Sequence, residues 1–162
     1  MKRSLVAVGL LVSTVALAGV QKGQKAPDFN LPKLTGGTQT LSSLKGKVVF
    51  IDFWAQWCEP CKKELPELQK LSQQYAGKDV VFLGVNIDKQ KDNAERFAKQ
   101  NGVTFPVLLD ASGSVAGSYD LPKMPTSFVV DKHGLVRAVN AGFDGPADVT
   151  KFKQEIDEAL SK

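Results

Sequence analysis

The sequence predicts an α/β fold, a central mixed β-sheet with helices on both faces. Two runs of β-branched and aromatic residues, KVVFIDFWA (47–55) and VVFLGVNID (80–88), have almost no polar break, as strands buried on both faces require. Stretches of helical period alternate with them: Leu65, Leu68, Leu71 and Tyr75; Ala94, Phe97 and Ala98; Phe152, Ile156 and Leu160. Such alternation builds a parallel core. Near the end, PTSFVVD (125–131) and LVRAVNAG (135–142) read as two strands joined by a tight turn at 131–134, which adds antiparallel pairing.

The chain has 162 residues, enough for one domain with a substantial core. Its formal net charge is +4, and two of those charges are Lys2 and Arg3. Lys and Glu alternate rather than cluster, which argues against a nucleic-acid partner. Residues 1–18 read as a separate module. Lys2 and Arg3 open it, an apolar run from Leu5 to Leu17 follows, and Ala16-Leu17-Ala18 supplies small residues for cleavage after Ala18. This is the pattern of a secretory signal peptide or, if uncleaved, an N-terminal anchor. The run is short for a membrane span. No cysteine follows it to carry a lipid. The expected location is periplasmic or otherwise extracytoplasmic.

The domain is expected over 23–162. Phe29 and Leu31 alternate with polar residues, Gly36-Gly37 marks a turn, and 38–41 returns as the second arm of a hairpin. Ser42 or Ser43 is expected to cap a short turn holding Leu44. A long helix should start near Cys58, contain Pro66, and stop at Gly77. A second helix is expected over 93–100, ended by Asn101-Gly102. A short strand at 103–110 precedes a short helix at 115–119, and a helix over 146–160 closes the chain.

FWAQWCEPCKKELP (53–66) holds the chain's two cysteines, Cys58 and Cys61. Exported proteins usually carry cysteines as structural disulfides, but this pair closes too short a loop to stabilise much. It is better placed to open and close. A cysteine at a helix start faces unsatisfied backbone N–H groups and a positive dipole end, which favour its thiolate, the nucleophile of disulfide exchange. Cys58 should be exposed and attack a substrate disulfide. Cys61, one turn into the helix, should be shielded and resolve the mixed disulfide. Pro60 fits the first turn, where its missing N–H is no loss. It joins Trp57, which can shield the sulfurs, on the expected substrate-facing surface. A zinc site needs two more ligands. His133 is the chain's one histidine and lies in a predicted turn far from the pair, so no metal is expected.

FIDFWAQWCEPCKKE (50–64), followed far downstream by MPT (124–126), resembles the thioredoxin fold. The APDFNL opening (26–31) and the extra segment at 88–110, a central βα insertion, resemble the TlpA/ResA branch of exported thiol-disulfide oxidoreductases. WCEPC is closest to ResA-type proteins. The resemblance runs from about residue 23 to 160. It implies that Pro125 is a cis proline facing the cysteines. Met124 would present its backbone to an extended substrate, with Thr126 beside it. It also implies that Asp52, a carboxylate inside an apolar strand, takes the proton from Cys61. ResA-type proteins often lack an acid there, so Glu59 and Glu64 remain alternatives for the base. Negative charge at these positions opposes thiolate and makes the protein a better reductant.

The expected function is reduction of protein disulfides outside the cytoplasm, with apocytochrome c as a family substrate and a membrane thiol carrier as electron source. The chain is expected to act as a monomer, with the Cys58–Cys61 disulfide in place of any cofactor. Three alternatives stand beside this. One is a disulfide oxidase or isomerase. Another is a peroxidase, because KGQKAPDFNLP (22–32) also resembles the peroxiredoxin opening, although the P-x-x-x-T-x-x-C loop is absent. The last is a redox-inert binding module, against which the two cysteines, Trp57 and Met124-Pro125 together argue.

Overall fold

The computed structural model describes residues 19–162. The expected signal or anchor, residues 1–18, lies outside the described residues. A five-stranded sheet runs in the order β5 (Val107–Leu109), β4 (Val80–Asn86), β3 (Val48–Trp54), β6 (Thr126–Val130), β7 (Val136–Ala141). β3, β4 and β5 are parallel, while β6 is antiparallel to both β3 and β7. Every residue of β3 is buried, as its unbroken apolar run requires of the central strand.

Side chains alternate across the sheet and feed two cores. Phe50 and Trp54 join Leu65, Leu68 and Leu71 of α1 (Glu59–Gln74), Phe97 of α2 (Lys91–Gln100), and Phe152 and Ile156 of α4 (Pro146–Leu160). Ile51 and Phe53 face Tyr119 of α3 (Ser114–Tyr119) and an N-terminal hairpin, β1 (Asn30–Pro32) with β2 (Thr38–Thr40). Helices therefore cover both faces, but the second face has one short helix and relies on the hairpin. The insertion forms α2 and β5, which extend the sheet beyond β4. Gly84 makes room there, because a Cβ would lie 2.8 Å from the indole nitrogen of Trp54.

The segment before β1 and the hairpin's end pair with both outer strands. Gly23 N–H donates to Val136 O at 2.7 Å, Val136 N–H donates to Gln24 O, and Lys25 bridges Leu135 at the β7 edge. At the other edge Lys33 bridges Leu108, and Leu34 N–H donates to Val107 O at 2.8 Å.

Several boundaries differ from expectation. α2 begins at Lys91, two residues early. The turn after β2 is a 3-10 helix, Leu41–Leu44, with no side-chain cap. Ser42 and Ser43 lie inside it, and Leu41 rather than Leu44 is its buried residue. Instead Asp28 Oδ1 accepts the Ser42 N–H at 2.9 Å. In α4 the deepest positions are Phe152, Ile156 and Ala159, with Leu160 only half-buried, as a 3.6-residue period dictates. α1 continues through Pro66, and Gly77 beyond its end takes the left-handed conformation expected of a stop.

Candidate active site

The two cysteines sit where β3 hands over to α1. Cys58 is the N-cap of α1, with extended backbone, and its Sγ accepts the Cys61 N–H at 3.3 Å. Pro60 occupies the first turn, where it displaces no helical bond. The sulfurs form a disulfide 2.04 Å long. Cys61 is fully buried, as expected. Cys58 is not the exposed residue anticipated: it is 4% exposed. The N-cap geometry is the cause, because it folds the sulfur back over the first turn and into the apolar cluster with Leu65 and Phe97. Trp57 is 66% exposed, so it does not shield the sulfurs and instead stands out as an apolar face beside them.

A network unnoticed in the sequence holds this loop. Asp88 Oδ2 accepts the Gln56 N–H at 2.8 Å and Asn86 Nδ2 at 2.7 Å, and Asn86 Oδ1 accepts the Asp88 N–H at 3.0 Å. Ile87 N–H also donates to Trp54 O. The end of β4 therefore clamps residues 54–56, and so the approach to Cys58. Both side chains are buried, and Asn86 has no exposed surface.

The three candidate carboxylates separate. Asp52 and Glu64 are each 1% exposed. Glu64 follows Cys61 by one turn of α1, and Asp52 lies on the sheet face that α1 covers. Burial pushes both carboxyls well above the usual range, and the two charges bear on each other, with Asp148 of α4 adding to the rise at Glu64. Neither makes an ion pair among the described residues. Glu59 is different. It is exposed and paired with Lys62 at 2.6 Å, which holds its carboxyl below the usual range. Its charge is thus already balanced by a neighbour.

The Met124-Pro125 bond is cis. Pro125 O accepts the Gly142 N–H at 2.7 Å, whereas neither backbone group of Met124 has a backbone partner among the described residues. Thr126, expected to face substrate, is buried, and its hydroxyl donates to Lys123 O. It ties down the loop before β6 rather than offering its side chain at the surface. His133 is exposed in its turn, with its N–H on Asp131 Oδ1. Among the described residues no group of three or more His, Cys, Asp or Glu side chains is placed to hold a metal ion, and no helix is long and apolar enough to cross a membrane.

A buried dithiol–disulfide at a helix start, with protonatable groups behind it, can exchange electrons with another disulfide and has a place to put the accompanying proton. Comparison with known proteins agrees. Residues 22–139 match the family model described as AhpC/TSA. The thiol-disulfide oxidoreductase ResA of Geobacillus kaustophilus is 35% identical over 155 residues, covering 94% of this chain and 89% of that protein. ResA of Bacillus subtilis is 37% identical, covering 84% and 78%. A crystal structure from Chlorobium tepidum, assigned as a DsbE-type thiol:disulfide interchange protein, superposes with a TM-score of 0.82 at 39% identity, covering 87% of this chain and 99% of that one. The chain therefore belongs to the AhpC/TSA family, with a thioredoxin fold, and is a ResA-like thiol-disulfide oxidoreductase.

Proposed function

We propose that the protein runs in the reducing direction, donating electrons from its dithiol to disulfides of exported proteins. One observation carries the direction: two buried carboxyls, Asp52 and Glu64, stand behind Cys61 with no ion-pair partner among the described residues. A strongly oxidising couple stabilises its reduced form through the thiolate. Here the helix start favours thiolate by about 0.3–2 kcal/mol, and the neighbouring Lys62 is already paired with Glu59. The carboxyls offer no compensating positive charge, and any ionisation of them opposes a second anion nearby.

Cys58, the N-cap residue, attacks the substrate disulfide and forms a mixed disulfide. Cys61 then gives its proton to the Asp52–Glu64 pair, in the minority of molecules in which one of its carboxyls is ionised near neutral pH, and attacks Cys58 Sγ. The substrate leaves as a thiol once it takes a proton. Trp57 and the free backbone of Met124 receive the substrate chain, strand to strand. The export reading rests on the charged start and apolar run of residues 1–18. Within it, apocytochrome c is the substrate and a membrane thiol carrier the source of electrons, on the family resemblance.

Equilibration against glutathione tests the direction. The potential should lie nearer about −270 mV than about −120 mV, the values of thioredoxin and DsbA. A value above about −180 mV, the region of disulfide isomerase, would make the protein an oxidase or isomerase instead.

A further inference from the structure

The carboxyl pair is one end of a longer buried row. Asp52 stands opposite Ser127 across the β3–β6 pairing, and Ser127 opposite Asn140 across β6–β7. Partners in a ladder put their side chains on the same face. Here it is the face under α1 and α4, because Asn140 Nδ2 donates to Glu155 Oε2 of α4 at 2.7 Å. Asp52, Glu64, Ser127 and Asn140 are each more than nine-tenths buried. Yet both carboxyl oxygens of Asp52, Glu64 Oε2, Ser127 Oγ and Asn140 Oδ1 have no hydrogen-bond partner among the described residues. Buried polar atoms are rarely left unpaired, and several of them on neighbouring strands form the lining that internal water bridges.

We propose that Ser127, Asn140 and Glu155, linked by ordered water, form a proton path from the Asp52–Glu64 pair to solvent on the α4 side of the domain. The path rests on dithiol exchange at Cys58 and Cys61. Its use lies in the resolving step. Cys61 has no exposed surface, and a protein bonded to Cys58 covers the mouth of the site. With one carboxyl of the pair already deprotonated through the path, the Cys61 S–H bond breaks, its proton passes to that carboxylate, and a sulfur–sulfur bond to Cys58 forms as the substrate–Cys58 bond breaks. The electron pair leaves on the substrate sulfur, which takes a proton from solvent. The carboxyl proton exits along ordered water held by Ser127 Oγ and Asn140 Oδ1 to the partly exposed Glu155, Asn140 orienting the water without itself carrying the proton, and no external oxidant is needed. The charged groups facing this row are Asp52 from β3, Glu64 from α1, and Asp148 and Glu155 from α4, the last with Lys151 at 3.9 Å. The row thus has a carboxyl group at each end, joined by the neutral Ser127 and Asn140.

Stopped-flow mixing of the reduced full chain with an aromatic nitrobenzoate disulfide separates the steps. Attack by Cys58 releases the first coloured thiolate in a bimolecular phase, and attack by Cys61 releases the second in a unimolecular one. Ser127→Ala and Asn140→Leu should slow the second phase relative to the first, on the order of tenfold, and enlarge its solvent isotope effect. Damage to the fold would slow both phases alike, and that result, or an unchanged second phase, overturns the path. If Asn140→Leu does not fold, Ser127→Ala decides, since it removes a single hydroxyl. Water-to-amide cross-relaxation should also place a long-lived water at the Asn140 side chain, and a dry side chain overturns the proposal. A wild-type protein that releases one thiolate and not two would refute the dithiol reading itself.

Discussion

Glu64 should make the oxidised protein less stable as pH rises, and Gln in its place should remove that dependence. An unfolded glutamate ionises near its ordinary value of 4.5, but in the folded protein burial, helped by Asp52 and Asp148, keeps the carboxyl protonated well above that. Between these two values folding binds one proton. Stability from this group is therefore fully present below 4.5 and is lost at about 1.4 kcal/mol per pH unit as pH rises toward the folded value. The loss reaches about 3 kcal/mol by pH 7, whatever the folded value above that. Asp52, raised in the same direction by burial, steepens the slope in the same window. Asp28, Asp131 and Asp157 are held low, so their contribution is lost only as pH falls below about 4, outside it. Urea unfolding of oxidised wild type and Glu64→Gln at about pH 5, 6, 7 and 8 measures the difference. A poorly bonded amide adds an offset that does not vary with pH, so the slope is the readout. A wild type as stable at pH 8 as at pH 5, or a variant with an unchanged slope, would refute the reasoning.

Cys58→Ser should abolish disulfide reduction, whereas Cys61→Ser should accumulate mixed disulfides that mass spectrometry detects. The opposite pattern reverses the two roles. Asp88→Ala should cost about 1–3 kcal/mol, because it strands the Asn86 amide in a buried place and releases the part-buried Gln56 N–H, and it should slow the first attack by Cys58. Asp88→Asn should recover part of both, which unfolding and thiol-reactivity measurements would show. Replacing both cysteines with serine should leave a folded protein by far-UV circular dichroism. The loop that the disulfide closes is short and worth only about 2 kcal/mol on chain-entropy grounds.

The architecture was legible because burial wrote it in residue types. The unbroken apolar runs became β3 and β4, and Leu65, Leu68 and Leu71 mark the buried stripe of α1. The cysteine spacing and Met124-Pro125 pointed to the site for a different reason, since both are rare patterns tied to one chemistry. Burial of individual polar groups was harder to read. Glu64 lies on the same arc of α1 as Cys61 and Leu68, but a glutamate one position outside an apolar stripe ordinarily reaches water. Nothing local distinguishes it from Glu67, which is partly exposed and paired with Lys70. Asn86 and Asp88 were hidden by their distance, because the Gln56 N–H they serve lies 32 residues from Asp88. The burial of Cys58 depends on a cap hydrogen bond, which residue type alone does not specify.

The strap that bonds to Leu135 and Val136 at one side and to Val107 and Leu108 at the other has a consequence for a protein that handles other chains. Open sheet margins recruit extended polypeptide without discrimination and seed aggregation. With both margins engaged over part of their length, fewer open backbone groups compete with Met124, whose backbone has no backbone partner among the described residues. In the proposed function this favours recognition at Met124 over pairing along the sheet margins. A form shortened to begin at residue 35 would lose that restraint, and we expect it to self-associate while keeping its redox centre. Light scattering alongside a thiol assay would separate the two effects.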